Sequence, residues 1–117
     1  MFLKLSHTHL DIFSVSRQLV LCSYGITNSF PPEEKYSLTQ QIRRAAVSVH
    51  LNIAEGCSRK SATERKRFFE MSRGSLIEID TALDIATELG YTHQENLTQE
   101  KKNLIQCFQM LSKMITS

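Results

Sequence analysis

Apolar residues recur along this chain at helical spacing, and the recurrence is interrupted in only a few places. Ile42, Ala46, Val49 and Ile53 fall at steps of four, three and four, the stripe that one side of a helix presents to a core. Leu104, Cys107, Phe108, Leu111, Met114 and Ile115 make a second such stripe near the end of the chain. The interruptions are Pro31 and Pro32, which cannot continue a helix, and the glycines Gly56 and Gly90. Four helices are predicted: roughly 8 to 28, 37 to 55, 61 to 89, and 96 or 98 to about 115. Ser37-Leu-Thr-Gln40, Ser61-Ala-Thr-Glu64 and Asn96-Leu-Thr-Gln99 read as capping boxes for the last three, with Thr98 an alternative cap for the fourth. Gly56 and Gly90 read as stops. The links are short, which favours antiparallel neighbours and an all-α, up-down-up-down four-helix bundle spanning residues 1–117 as one domain.

The helices are unequally one-sided. The fourth has a single apolar face. The first has two: Leu10, Phe13, Val20, Leu21 and Tyr24 on one side, with Ile12, Val15, Leu19 and Ile26 nearly opposite. The third carries an apolar arc of roughly 200°, twice what a surface helix needs. It runs from Phe69, Leu76 and Leu83 through Phe68, Ile79 and Ala86 to Met71, Ala82, Ile85 and Leu89. This surplus predicts a homo-oligomer that buries the second face of the first helix and a flank of the third.

The second helix carries polar residues through its repeat. Arg44, Ser48, Asn52 and Glu55 form a ladder beside the small-residue stripe, at spacings that let neighbours touch. If covered, the ladder must be hydrogen-bonded, and Glu55 would need a cation such as Arg59. We read it as a structural polar seam. Ser48, His50 and Glu55 lie on different faces, so they do not form a nucleophile, base and orienting acid.

Composition adds limits. Hydrophobic residues are 41% and charged residues 22%, an ordinary globular balance. No apolar run is long enough to cross a bilayer, and the opening residues lack a secretion signal, so a cytoplasmic protein is expected. Cys22, Cys57 and Cys107 are odd in number and far apart. They suit small buried hydrophobes in a reducing compartment rather than disulfides or a metal site. The four histidines are scattered, and no P-loop, dinucleotide fingerprint or HExxH occurs; no cofactor, no metal and no enzymatic role are expected.

Charge is uneven. Residues 37 to 73 hold eight Lys or Arg against three acids, whereas 74 to 117 hold three against six. The candidate nucleic-acid contacts are Arg59, Lys60, Arg65, Lys66 and Arg67 at the turn between the second and third helices, with Arg43, Arg44 and Arg73 as additions. Phe68 and Phe69 interleave with these bases, but their helical spacing places them in the core.

Three stretches resemble one bacterial family. They are QIRRAAVSVHLNIAEG (41–56) followed by Arg59, the preceding FPPEEKYSL, and RGSLIEIDTALDIATELGY (73–91). Together they resemble the intervening-sequence proteins, some of which are encoded within large-subunit ribosomal RNA genes. The accessory variability determinants of diversity-generating retroelements are relatives. Where the family usually shows a proline, this chain has His50-Leu51, so a kink there is expected to be weak or absent. The resemblance implies a four-helix protomer in a ring-like pentamer, with structured RNA or DNA as a partner and, in a retroelement, a reverse transcriptase. The expected role is an oligomeric RNA-binding adaptor; the alternative is a protein-interaction scaffold with no nucleic acid.

Overall fold

A computed structural model describes residues 1–117. It contains four helices, α1 (Asp11–Thr27), α2 (Leu38–Ser58), α3 (Ala62–Glu88) and α4 (Thr98–Thr116), with three short 3-10 turns and no strand. Each helix packs on its successor, and α1 closes the bundle against α4. The pairing is antiparallel throughout. Arg43 meets Thr27 and His50 meets Ser16, while Gln41 meets Glu78 and Val49 meets Ser72. Arg73 meets Ser112 across the α3–α4 seam.

The core is the small-residue stripe of α2 closed in by its neighbours. Ile42, Ala46, Val49 and Ile53 are fully buried, together with Leu19, Ile79, Ala86, Cys107 and Leu111. The two sides of α1 resolve differently from the sequence expectation. Ile12 and Leu19 enter the core alongside Ser16, Ser23 and Thr27, and Phe13 turns towards α2 to stack on His50 at 4.2 Å. Leu10, Leu21 and Tyr24 remain exposed. On α3, Met71, Ile77, Ile85 and Leu89 are exposed as well.

The helix ends correct three local readings. Ser61 does cap α3, accepting the Glu64 amide at 3.0 Å, and Gly90 does end it, at φ +79°. The Tyr91 amide bonds back to the Ala86 carbonyl there at 2.9 Å, so a left-handed residue closes the helix. Ser37 makes no side-chain cap; the Glu34 carboxylate takes the Leu38 amide at 3.1 Å instead. Its other oxygen accepts the Tyr91 hydroxyl at 3.1 Å, tying the α1–α2 and α3–α4 links together at one end of the bundle. Helix α4 begins after Leu97 with no side-chain cap, so neither Asn96 nor Thr98 serves. Gly56 does not stop α2. The helix runs through it to Ser58, and the glycine is there because Phe69 leaves no room for a β-carbon.

Candidate nucleic-acid interface

The α2–α3 turn brings five of the predicted basic residues to one end of the bundle. Helix α2 ends as Arg59 turns extended, and Ser61 starts α3 two residues later. Arg59 and Arg67 converge on one ring: their guanidinium carbons lie 5.0 and 4.8 Å from the Phe68 centroid. Phe68 is half-buried, unlike Phe69, which is in the core. The sequence pattern assigned both to the core, but the spacing of one residue puts them 100° apart on α3, and only Phe69 points inward.

Each of these two arginines also has a local carboxylate. Arg59 pairs with Glu55 at 2.8 Å and Arg67 with Glu64 at 3.4 Å. Both pairs lie on the surface and join residues a single turn apart, where an ion pair contributes only about 0–1 kcal/mol. The guanidiniums are therefore held over the ring yet are free to exchange a carboxylate for another anion. Arg65 has a different job. Its guanidinium donates to the carbonyls of Cys57 at 2.9 Å and Arg59 at 3.2 Å, satisfying the open end of α2. Lys60 is exposed, and Lys66 is half-buried near Phe69 and Met114.

Arg43, Arg44 and Arg73 do not join this cluster. Arg43 and Arg44 sit towards the start of α2, some 24 Å along the axis from Arg59 at 1.5 Å per residue. Arg43 is committed to α1, donating to Thr27 Oγ1 at 2.8 Å and Asn28 Oδ1 at 3.1 Å while covering the Tyr24 ring. Arg44 is exposed and borders a shallow groove with Lys35, Tyr36 and Leu51. Arg73 lies against α4, bonded to Ser112 at 3.1 Å and over Phe108.

The polar ladder of α2 divides likewise. Asn52 donates to the Ser48 carbonyl and hydroxyl, each at 2.9 Å, and the Ser75 hydroxyl of α3 reaches Ser48 at 3.0 Å. That half is a seam between α2 and α3. Glu55 stands outside it, on the surface with Arg59, and Arg44 makes no hydrogen bond to the seam, so the expected four-residue ladder is a two-residue one extended by Ser75.

Two polar sites inside the bundle have no counterpart in the sequence reading. Ser16 Oγ and His50 Nδ1 lie 2.6 Å apart, but Ser16 is fully buried and no carboxylate orients the ring, so the pair lacks the parts of a nucleophilic site. Burial, then Arg17 and His7, hold the His50 pKa below its usual range. On the other side of α1, the Ser23 hydroxyl donates to Glu100 Oε2 at 2.6 Å. Glu100 is fully buried, has no cation beside it, and its Oε1 has no hydrogen-bond partner. Burial raises its pKa against the opposing hydrogen bonds from Ser23 and Cys22. A clue lay in Ser16, Ser23 and Thr27, which follow the Ile12–Leu19 face at helical spacing and so enter the core with it.

The model of the 23S rRNA-intervening sequence protein family matches residues 8–113, nearly the whole chain. The chain belongs to this family. Among solved structures it is similar to a protein of the S23 ribosomal protein family from Bacteroides thetaiotaomicron, whose function is unknown. The match has a TM-score of 0.80 at 15% identity and covers 91% of this chain and 99% of that one. At that identity the likeness establishes the four-helix fold, which this intervening-sequence protein shares along its length. No curated protein matches the chain. No helix is long and apolar enough to cross a membrane.

Proposed function

We propose that this intervening-sequence protein is a non-enzymatic, oligomeric adaptor that binds structured RNA through the α2–α3 turn. The observation that carries the reading is the pair of arginines on Phe68, flanked by Lys60 and Lys66. Guanidiniums held over an aromatic ring in weak surface pairs suit phosphate, which they contact without reading sequence. The site residues are Arg59, Lys60, Lys66 and Arg67. Arg65 supports them by closing α2.

Assembly multiplies the site. The exposed Leu21 and Tyr24 lie on α1, with Leu10 just before its first residue, and Ile77 and Ile85 lie on α3, the helix not adjacent to α1 in the closed order of the bundle. Two unlike apolar patches on opposite sides favour a head-to-tail contact that closes into a ring. The pentamer implied by the family resemblance would place five basic turns together and raise avidity without new contacts.

The test is the affinity for a structured RNA hairpin as a function of salt, with the Arg59→Glu/Arg67→Glu double variant beside the native chain. Phosphate contacts require affinity to fall steadily as salt rises, and the variant to bind weakly with a shallower salt slope. Affinity that holds from low to moderate salt, or that the double variant retains, would discard the RNA reading. Protein partners that survive nuclease treatment in the same variant would then favour a scaffold role.

A further inference from the structure

The chain enters α2 through Lys35 and Tyr36, two exposed side chains that the core does not use. Tyr36 is 79% exposed, and a single exposed ring would be ordinary. Here it belongs to a larger feature. A groove of about 720 Å³ follows the outer side of α2 from Tyr36 to Leu51, with Tyr24 of α1 at its edge. Tyr24 is 41% exposed and Leu51 58%, so apolar and aromatic surface stays open along its length. The charge that lines the groove has one sign: Lys35, Arg43 and Arg44 are there and no acid is. The protein's two ion pairs are both at the α2–α3 turn, which leaves Lys35 and Arg44 without a carboxylate. Arg43 contributes charge only, because its guanidinium is held by Thr27 and Asn28 and covers the Tyr24 ring. Lys35 Nζ stands 5.3 Å from the centre of the Tyr36 ring, an exposed cation–π contact weak enough to yield to another partner.

These features select among anionic partners. The core of a protein–protein interface is depleted in charged residues, whereas three of the eleven residues lining this groove are cations. Surfaces that hold nucleic acid are more polar and far more positive. A duplex keeps its base faces stacked inside and offers a tyrosine only its backbone and edges. An unpaired base can be laid flat on the ring. Cations and aromatic rings sharing one groove suit a single strand, with phosphates on the cations and bases on the rings. Gln40, exposed on the same wall, offers an amide donor and acceptor to a base edge. We propose that the α1–α2 groove binds a single strand of nucleic acid, with an unpaired base stacked on Tyr36 and the flanking phosphates on Lys35 and Arg44. The groove is separate from the basic turn: Arg44 and Arg59 are roughly 22 Å apart along α2 at about 1.5 Å per residue.

Fluorescence anisotropy with a labelled oligouridine, which cannot pair with itself, tests this on the full chain. The salt is about 0.15 M, where exposed charges more than about 8 Å apart are largely screened. The control is an abasic strand of the same length. The variants are Tyr36→Ala, Tyr36→Phe, Lys35→Ala/Arg44→Ala and Arg59→Glu/Arg67→Glu, all at exposed side chains. The expected result is saturable binding of oligouridine, with the abasic strand and Tyr36→Ala each weaker by at least about fivefold, the low end of a base–aromatic stack. Tyr36→Phe keeps the ring and is expected to keep the affinity. Lys35→Ala/Arg44→Ala is expected to weaken binding and make it less sensitive to salt. Arg59→Glu/Arg67→Glu is expected to stay within about twofold of the native chain, so that failure of the turn as a hairpin site and failure of this groove are read separately. Binding that does not saturate, that the abasic strand reproduces, or that survives Tyr36→Ala would overturn the assignment. So would a loss in Arg59→Glu/Arg67→Glu as large as that in Tyr36→Ala, because the strand would then lie at the turn. Sedimentation showing that Lys35→Ala/Arg44→Ala breaks an oligomer, while the native chain ignores oligouridine, would overturn it in favour of a second copy in the groove.

Discussion

Gly56 of α2 lies flush against Phe69 of α3: a β-carbon at position 56 would stand 2.5 Å from Cε1 and 2.8 Å from Cδ1 of that ring. Phe69 is a core residue, and Phe68 Cβ would stand 3.2 Å away on the same side, so the ring has little room to move aside. Alanine is favoured over glycine inside a helix by about 1 kcal/mol, but overpacking a core costs about 1–3 kcal/mol. Gly56→Ala should therefore lower stability by up to about 2 kcal/mol. Gly25, also helical but with nothing within 4 Å of its β-position, should gain about 0.5–1 kcal/mol from the same change. Urea denaturation of the two variants checks both signs, and a stabilised Gly56→Ala protein would contradict the close contact.

The same residue shows what the sequence could and could not disclose. Helix number, order and approximate ends follow from apolar periodicity and from Pro31, Pro32 and Gly90, because those signals act within a few residues. A glycine that stops a helix and a glycine that admits a neighbouring ring look alike in sequence; the ring that distinguishes them lies thirteen residues further on, on another helix. Ser37 failed as a cap for a related reason. Glu34, three residues earlier, was brought to the Leu38 amide by a 3-10 turn that Tyr91 helps to hold. Glu100 looked like any acid in the first turn of a helix, where it suits the dipole, and nothing local reported that Ser23 would cover it. Charge clustering was legible only where the chain doubles back: residues 59 to 67 meet at the α2–α3 turn, whereas Arg43 lies near the start of α2, at the other end of the bundle.

Arg43 and Arg59 should therefore behave oppositely when truncated. Arg43 bonds to the buried Thr27 hydroxyl and to Asn28 and covers Tyr24, so Arg43→Ala should cost about 1–2 kcal/mol of stability. Its effect on RNA affinity should be small. Arg59→Ala breaks an exposed pair with Glu55 and the contact with the Phe68 ring, and should change stability by no more than about 1 kcal/mol while weakening RNA binding. Thermal unfolding and a binding titration on both variants make the comparison. Equal losses of RNA affinity would return Arg43 to the nucleic-acid surface.

The thiols should be slow to react in the folded protein. Burial, reinforced by the Glu100 carboxylate, pushes Cys22 up to about 11 and Cys107 up to about 12, and Cys107 is fully buried. Thiolate is the reacting form, so a rise from 9.0 to about 11 reduces it roughly 100-fold at pH 8. Labelling of the native chain with a thiol reagent at that pH should show Cys22 and Cys107 lagging their rates in urea by at least about that factor. Rapid native labelling of Cys107 would mean that the α4 side of the core opens readily.

Glu100 and His50 should give the stability opposite slopes with pH. Burial raises the Glu100 pKa above 4.5, so between that value and the raised one the folded chain holds a proton that the unfolded chain has released. Stability then falls as pH rises through that window. Burial, with Arg17 and His7, lowers the His50 pKa below 6.5, so below that value it is the unfolded chain that binds the extra proton, and stability falls on acidification. Single variants separate the two slopes. Glu100→Gln should remove the loss on the alkaline side and leave the acid limb in place. His50→Asn should flatten the acid limb while the alkaline loss remains. Urea midpoints measured from pH 4 to pH 8 provide the readout. A Glu100→Gln profile parallel to that of the native chain would show that the carboxyl ionises inside the bundle as easily as in water, which its lack of a cation partner argues against.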